Sequence, residues 1–344
     1  MPMNLTAAAL AAGERVTWPD PMVRAAVNML VGRTKRRLQS ERASAERDFV
    51  RSMAEYPIAT NTRDENDQHY ELPARFFTLM LGPQRKYSCC YYEEPGASLA
   101  QAEERALAET AEHAALTDGQ SVLELGCGWG SLSLWMARKY PRARIVSVSN
   151  SHSQRAFIAG RAEHEGLRNL TVIAADMNTF APTGQFDRVV SVEMFEHMSN
   201  WRELLRRIVT WMAPHGALFV HVFSHRNAPY RFDAANRADW IARHFFTGGI
   251  MPSHNLIRQF SDLVTVEQEW WWDGNHYRRT AEQWLENFDR DVAKIDTVLR
   301  RIYGKDAAIW HRRWRMFLYA TSGLFGHDDG KEWGVSHFRL RAAA

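Results

Sequence analysis

Two carboxylates and an imidazole fall within five residues at Glu193-Met-Phe-Glu196-His197. A carboxylate attracts a cation, and a carboxylate or imidazole beside it can take a proton near neutral pH, so the cluster suits removal of a proton from a cationic amine. If the segment continues as a helix, Glu193 and His197 share one face at i,i+4, with Glu196 one residue before the imidazole. The plainer alternative is that Glu196 and His197 cap a helix and bind backbone, which does not account for all three groups. A second cluster, Glu124-Leu-Gly-Cys-Gly-Trp-Gly130, follows the apolar run Ser121-Val122-Leu123. Its glycines admit backbone angles that other residues avoid and remove side chains that would hold a ligand away.

Both clusters need a scaffold, and the apolar pattern supplies one. Strands are expected at 121–125, 144–149, 170–174, 186–192 and 217–222, with helices near 131–140, 151–165 and 201–211 between them. Such alternation defines an α/β fold with a parallel, doubly wound sheet. Two later runs, 264–272 and 335–340, would add an antiparallel pair to make seven strands. Ahead of the sheet, helical patterns at 20–40, 72–81 and 98–115 surround a polar loop at 60–69. Helical stretches at 280–303 and 307–325, with 230–250, are expected to cap the ligand crevice. The chain thus reads as a helical N-terminal extension (1–95), a cofactor-binding core (96–225) and a cap insertion with the closing strands (226–344).

Composition narrows the class. Hydrophobic residues make up 45% of the 344-residue chain and charged residues 24%, an ordinary globular balance. No stretch approaches the roughly 18 apolar residues of a membrane span. The Ala-rich residues 7–12 lack the basic flank and apolar run of a secretory signal. Three cysteines, Cys89, Cys90 and Cys127, fit a reducing, cytoplasmic setting and lack the paired spacing of a zinc site, so no metal is expected. His221 and His225 stand at a strand end, where helical metal-ligand geometry does not apply. A net charge of +3 and the absence of a concentrated basic groove argue against nucleic acid. The basic run Arg33, Lys35, Arg36 and Arg37 reads as a solvated helix face or as a peripheral contact with anionic lipid. Homodimerisation stays open.

In a doubly wound sheet, ligands lie beyond the carboxyl ends of the strands. The glycine spacing departs from G-x-G-x-x-G. An acidic residue before G-x-G-x-G resembles motif I of S-adenosylmethionine-dependent methyltransferases, with Glu124, Gly126, Cys127 and Gly128 as its parts. Strand two ends at Ser149-Asn150, with Gln154 a turn later, where an amide can hold ribose hydroxyls. Strand three ends at Asp176-Met177, where a carboxylate can accept from an adenine amine while the thioether packs on the ring. Singly, these are ordinary loop and packing residues.

The run Tyr87-Ser-Cys-Cys-Tyr-Tyr92, the glycine loop, Ser149-Asn150-Ser151, Met194-Phe-Glu-His197, His244-Phe-Phe-Thr-Gly-Gly249 with Met251-Pro252-Ser253, and Trp333-Gly-Val-Ser-His-Phe338 resemble the coclaurine N-methyltransferase group within the wider cyclopropane-fatty-acid-synthase family. The resemblance spans residues 70–341. It implies a Rossmann-like class I methyltransferase fold, S-adenosyl-L-methionine as cofactor, Tyr87 and Ser88 at its methionine end, and a small amine as methyl acceptor.

Within that resemblance the lipid branch implies bicarbonate as base, held by Cys89, Glu196, His221 and Tyr277. One departure bears on this: the lipid enzymes resemble Gly-Met-Phe-Glu-His where this chain has Glu193. A carboxylate there takes the space of the anion, and two anions in one small site repel. The resemblance therefore implies Glu193 and His197 as the catalytic pair, supported by Glu196, and an amine rather than an olefin. Substrate walls are expected from Phe245, Phe246, Trp270 to Trp272, Tyr277, Trp333 and His221, since aromatic faces suit a cationic, partly apolar ligand. The alternatives are a cyclopropane synthase or carbon methyltransferase acting on unsaturated acyl lipid, and a non-catalytic cofactor-binding scaffold. His276 has no assigned role.

Overall fold

The computed structural model of the chain describes residues 14–39, 45–60, 72–237 and 239–343. The five expected strands, β1 (Ser121–Leu125), β2 (Arg144–Ser149), β3 (Leu170–Ala174), β4 (Phe186–Val192) and β5 (Met212–His225), hydrogen-bond in parallel. β6 (Tyr230–Arg231) and β7 (Ile250–Met251) pair separately, while β8 (Val264–Asp273) and β9 (Trp333–Ala342) extend the main sheet antiparallel. The order β3-β2-β1-β4-β5-β9-β8 is the expected seven-stranded, Rossmann-like sheet.

Its central strands are apolar on both faces because helices cover both. In β1, Val122, Leu123 and Leu125 are buried, as are Val189 and Val190 in β4. In chain order the helices are α1 (Asp20–Gln39), α2 (Ala45–Met53), α3 (Ala74–Met80), α4 (Leu99–His113), α5 (Ser131–Lys139), α6 (His152–His164) and α7 (Trp201–Trp211). After β5 come α8 (Trp240–His244), α9 (Gly274–Arg290), α10 (Val292–Tyr303) and α11 (Ala307–Phe325). A capping box fixes the start of α4: the Ser98 hydroxyl accepts from the Gln101 N–H, and the Gln101 side chain accepts from the Ser98 N–H.

Two expectations shift. The pattern at 280–303 is two helices, because Asp291 leaves helical angles (φ −100°, ψ 21°) and its carboxylate is held by Arg290 and Lys294. The segment after β4 is a short 3-10 turn, Phe195–His197, rather than an α-helix. The polar loop at 60–69 lies almost wholly outside the described residues, as do residues 7–12.

The cap packs on the sheet through one apolar cluster that joins Phe76, Phe77, Trp284, Trp314 and Trp333, and α1 lies along α11. The basic run of α1 is partly spent inside this assembly: Lys35 pairs with Asp328 at 3.0 Å and Glu332 at 2.6 Å, and the Arg37 guanidinium sits over the Tyr230 ring. Among the described residues no helix is long and apolar enough to cross a membrane.

Candidate active site

The glycine loop leaves β1 where the strand order reverses between β1 and β4, and a cleft opens there. Gly126 has φ +80°, and a Cβ on it would stand 2.6 Å from the Cβ of Met194. Gly128 has φ +50° and faces open space. Beneath the loop, Glu124 is buried. Its Oε2 accepts from the Ser133 hydroxyl and from the Ser147 hydroxyl at 2.7 Å, so it braces the turn from below. Burial raises its pKa, against those two bonds.

Tyr87, Ser88, Gly126, Cys127, Gly128, Asn150, Gln154 and Met177 all line this cleft, with Glu124 at its floor. The Ser149 hydroxyl donates to Gln154 Oε1 at 2.6 Å, which leaves Gln154 Nε2 buried with no acceptor among the described residues. Trp129 Nε1 and Ser131 Oγ, on the same cleft, are likewise buried and unmatched. Buried donors without partners are costly, and three around one cleft suit a polar ligand. Asp176 is not in the lining. Its Oδ1 accepts from the Asn178 N–H at 2.8 Å, making a turn whose Asn178 side chain then bonds both backbone groups of Ala59.

At the end of β4, Glu193 takes φ +46°, a left-handed angle unusual outside glycine. Its N–H donates to the His221 carbonyl at 2.9 Å, and the turn aims the side chain inward. The carboxylate is caught between three groups. Oε1 accepts from the Cys89 N–H at 2.9 Å and lies 3.3 Å from His221 Nε2, while Oε2 accepts from the Tyr277 hydroxyl at 2.7 Å. Burial raises the Glu193 pKa, opposed by the charge of Lys86, the Cys89 and Tyr277 bonds and His197.

The expected Glu193–His197 pair on one helix face is therefore corrected. A left-handed residue followed by a 3-10 turn gives no i,i+4 face; the His221 imidazole, 28 residues away, lies 3.3 Å from the carboxylate, and His197 lines both cavities beside it. Position 86 was missed at the sequence level. Lys86 is buried, and its ammonium donates to Ser88 Oγ at 2.6 Å and to the Cys89 carbonyl at 2.5 Å, holding the strip that carries the Cys89 N–H. His276, unassigned from the sequence, supports the same strip: its Nδ1 accepts from the Tyr92 N–H at 3.0 Å.

Glu193, Glu196 and His197 also face a second, larger cavity of about 1380 Å³ between the sheet and the cap. Glu196 is fully buried, and no side chain among the described residues bonds its oxygens, which have only the backbone N–H groups of Glu196 and Phe223 near them. Burial and the neighbouring Glu193 charge push its pKa well above the usual carboxylate range. Phe245, Phe246 and Tyr277 line this cavity, and the His197 ring lies 4.5 Å from that of Phe246. Val23, Val27 and Leu30 of α1 line it as well. Trp333 and His221 do not. Trp333 is buried against His225 and His327, and His221 lies behind Glu193. Nor do Trp270 to Trp272 line it: Trp270 stacks on His113 and Trp272 packs on His337. Their apolar faces serve buried histidines, which their spacing alone did not reveal.

Comparison with known proteins places this geometry. A family model described as mycolic acid cyclopropane synthetase matches residues 59–331. An (S)-coclaurine N-methyltransferase of Thalictrum flavum subsp. glaucum is 35% identical over 93% of this chain and 91% of its own length. The cyclopropane-fatty-acyl-phospholipid synthase of Escherichia coli strain K12 is 30% identical over 78% of this chain and 66% of its own. A crystal structure of coclaurine N-methyltransferase bound to N-methylheliamine and SAH superposes with a TM-score of 0.88 at 33% identity, covering 92% of this chain and 95% of that one.

Proposed function

We propose that this chain, which belongs to the mycolic acid cyclopropane synthetase family and is an S-adenosylmethionine-dependent methyltransferase, methylates the nitrogen of a small, partly aromatic amine, with Glu193 taking the amine's proton. The observation that carries this reading is the Glu193 carboxylate itself, held by the Cys89 N–H and the Tyr277 hydroxyl beside His221. Three of the four residues that the lipid-branch resemblance assigns to bicarbonate thus already surround a side-chain carboxylate. A second anion in that space would meet its repulsion.

The cleft residues fit the cofactor. The unmatched Gln154 amide, with Asn150, would hold ribose hydroxyls, and Met177 would pack on the base. Tyr87 and Ser88 would face the methionine end, and the bare Gly126 and Gly128 would let backbone approach. When bound, S-adenosylmethionine supplies an electrophilic methyl on sulfur. The chain's own residues do the rest. A protonated amine has no lone pair to offer, so a base must act first. Glu193 draws the ammonium in and accepts its proton. Burial raises its pKa above the ordinary carboxylate value, the direction that strengthens it as a base. Glu196 lies on the same cavity in support of Glu193, and the His197 and Phe246 rings face the cation. The name of the Thalictrum relative and the N-methylheliamine bound to the solved structure support an amine of tetrahydroisoquinoline type.

The test is methyl transfer from labelled S-adenosylmethionine to secondary and tertiary amines, tetrahydroisoquinolines included, beside vesicles of unsaturated phospholipid with and without bicarbonate. Label in amine that falls with Glu193→Gln supports the reading. Label in lipid, stimulated by bicarbonate, overturns it.

A further inference from the structure

Behind Glu193 a line of imidazoles runs out of the site. His221 Nε2 lies 3.3 Å from Glu193 Oε1, and His221 Nδ1 lies 2.8 Å from His337 Nε2. His337 Nδ1 lies 2.8 Å from His113 Nδ1, and His113 Nε2 lies 3.1 Å from Glu109 Oε2. Glu109 also pairs with Arg105, whose side chain is 38% exposed, so the line ends at solvent. The fold sets this geometry at three places. β5 and β9 pair antiparallel so that His221 and His337 are direct partners, and His113 is the last residue of α4. Trp270 stacks on His113 with centroids 3.8 Å apart, and Trp272 covers His337 at 4.2 Å.

We propose that His221, His337 and His113 form a proton relay that moves the proton taken by Glu193 to Glu109 during the reaction and returns it afterwards. The inference rests on the reading of Glu193 as proton acceptor and adds three positioning residues to it. A neutral imidazole donates one hydrogen bond and accepts one, so three in line have only two consistent directions. With Glu193 protonated, its O–H donates to His221 Nε2, His221 Nδ1–H to His337 Nε2, His337 Nδ1–H to His113 Nδ1, and His113 Nε2–H to the Glu109 carboxylate. Each of these four protons then moves one bond along. The O–H of Glu193 breaks, an O–H forms on Glu109, each ring exchanges one N–H for the other, and no ring is left charged. Glu193 is again a carboxylate while positive charge develops on the acceptor nitrogen. Once product leaves, the shift reverses and Glu193 gives the proton to water in the cavity.

The surroundings keep the rings neutral, as such a relay requires. Burial pushes His221 and His337 well below the ordinary imidazole range and His113 down to about 4. The cations facing them, Lys86 at His221 and His337 and Arg339 and Arg105 at His113, act in the same direction. Glu109 is raised, by burial first and by Glu112 and Glu93 against Arg105.

The experiment compares two acceptors. Tetrahydroisoquinoline is an ammonium at neutral pH and must lose a proton before it can react. N-methylaniline is already neutral and needs none removed. His337→Phe should lower kcat for the first about tenfold or more and leave the second within about twofold. His113→Phe, at a ring that touches neither Glu193 nor the cavity, should do the same and covers the case where His337→Phe fails to fold. Nitrogen-15 spectra of labelled wild-type protein should show three neutral rings at neutral pH. Equal losses on both acceptors mean that the rings only hold the fold, and an imidazolium among them breaks the line; either overturns the relay. If Glu193→Gln separates the two acceptors and neither histidine variant does, the relay fails and the base assignment stands. Label in lipid and in neither amine removes the amine reading and the relay with it.

Discussion

Over β1 and β2 the site is made of backbone: glycine angles, a braced loop and a few neutral donors around Gln154. Over β4 and β5 it is made of buried titratable side chains, Glu193, Glu196 and His221, with Tyr277 brought in from α9. The first half asks little of its residues beyond shape; a ligand with many polar atoms, as proposed, would supply its own anchors. The second half gathers buried titratable groups around a strained backbone angle at Glu193, with a line of histidines behind it. An angle such as that of Glu193 costs roughly 1 to 3 kcal/mol, and it is tolerated where the surroundings dictate it. The contrast teaches that the glycine-loop side is written locally in the chain, whereas the cluster of titratable groups is assembled across it.

Substitutions on the two sides should therefore fail differently. We predict the largest effect for Glu193→Gln: kcat on a protonated amine lowered about 100- to 10,000-fold, with cofactor affinity in calorimetry unchanged. Wild-type rate should fall as pH drops through the raised Glu193 pKa, and a variant with the same acid limb would remove the base role. Next comes Gly128→Val. A branched side chain at φ +50° adds strain and enters open cleft space, so cofactor affinity should drop roughly 100-fold, whereas unaltered binding would detach the loop from the cofactor. Tyr277→Phe deletes a hydrogen bond to a charged group worth roughly 1.5 to 3 kcal/mol. We expect kcat about tenfold lower. Because the Tyr277 hydroxyl lowers the Glu193 pKa, its removal should move the acid limb to higher pH; movement to lower pH would contradict the hydrogen bond. The smallest pair sharpens the cavity boundary. Phe246→Ala should raise KM for the amine about 2- to 30-fold, from roughly 0.5 to 2 kcal/mol of ring contact. Trp333→Phe should cost roughly 1 to 3 kcal/mol of stability, seen as a lower Tm, with KM unchanged. A KM rise in Trp333→Phe would return that residue to the substrate wall.

How far the sequence carried follows the same divide. The first four strands end where the apolar runs end, since a strand buried on both faces leaves a continuous signal, and the glycine loop was readable because its residues are consecutive. The partners of Glu193 were not. His221 meets His337 across a register fixed by antiparallel pairing 116 residues apart, and His113 joins from a helix end; no local pattern announces either contact. The break at Asp291 was hidden because it involves neither Gly nor Pro. The i,i+4 helix face for Glu193 and His197 is absent because Glu193 takes a left-handed angle and Phe195–His197 is a 3-10 turn, although both side chains still line the same cavity.

That angle has an evolutionary consequence. Glycine and glutamate codons can differ by one base, and the main chain at position 193 already adopts the conformation that glycine prefers. An exchange between them requires no rearrangement of β4 or of the turn after it. By the sequence resemblance, it would change whether the negative charge beside Tyr277 is tethered to the chain or captured from solution. If the lipid branch carries glycine here, as the sequence resemblance implies, the two branches are separated at this point by one mutational step.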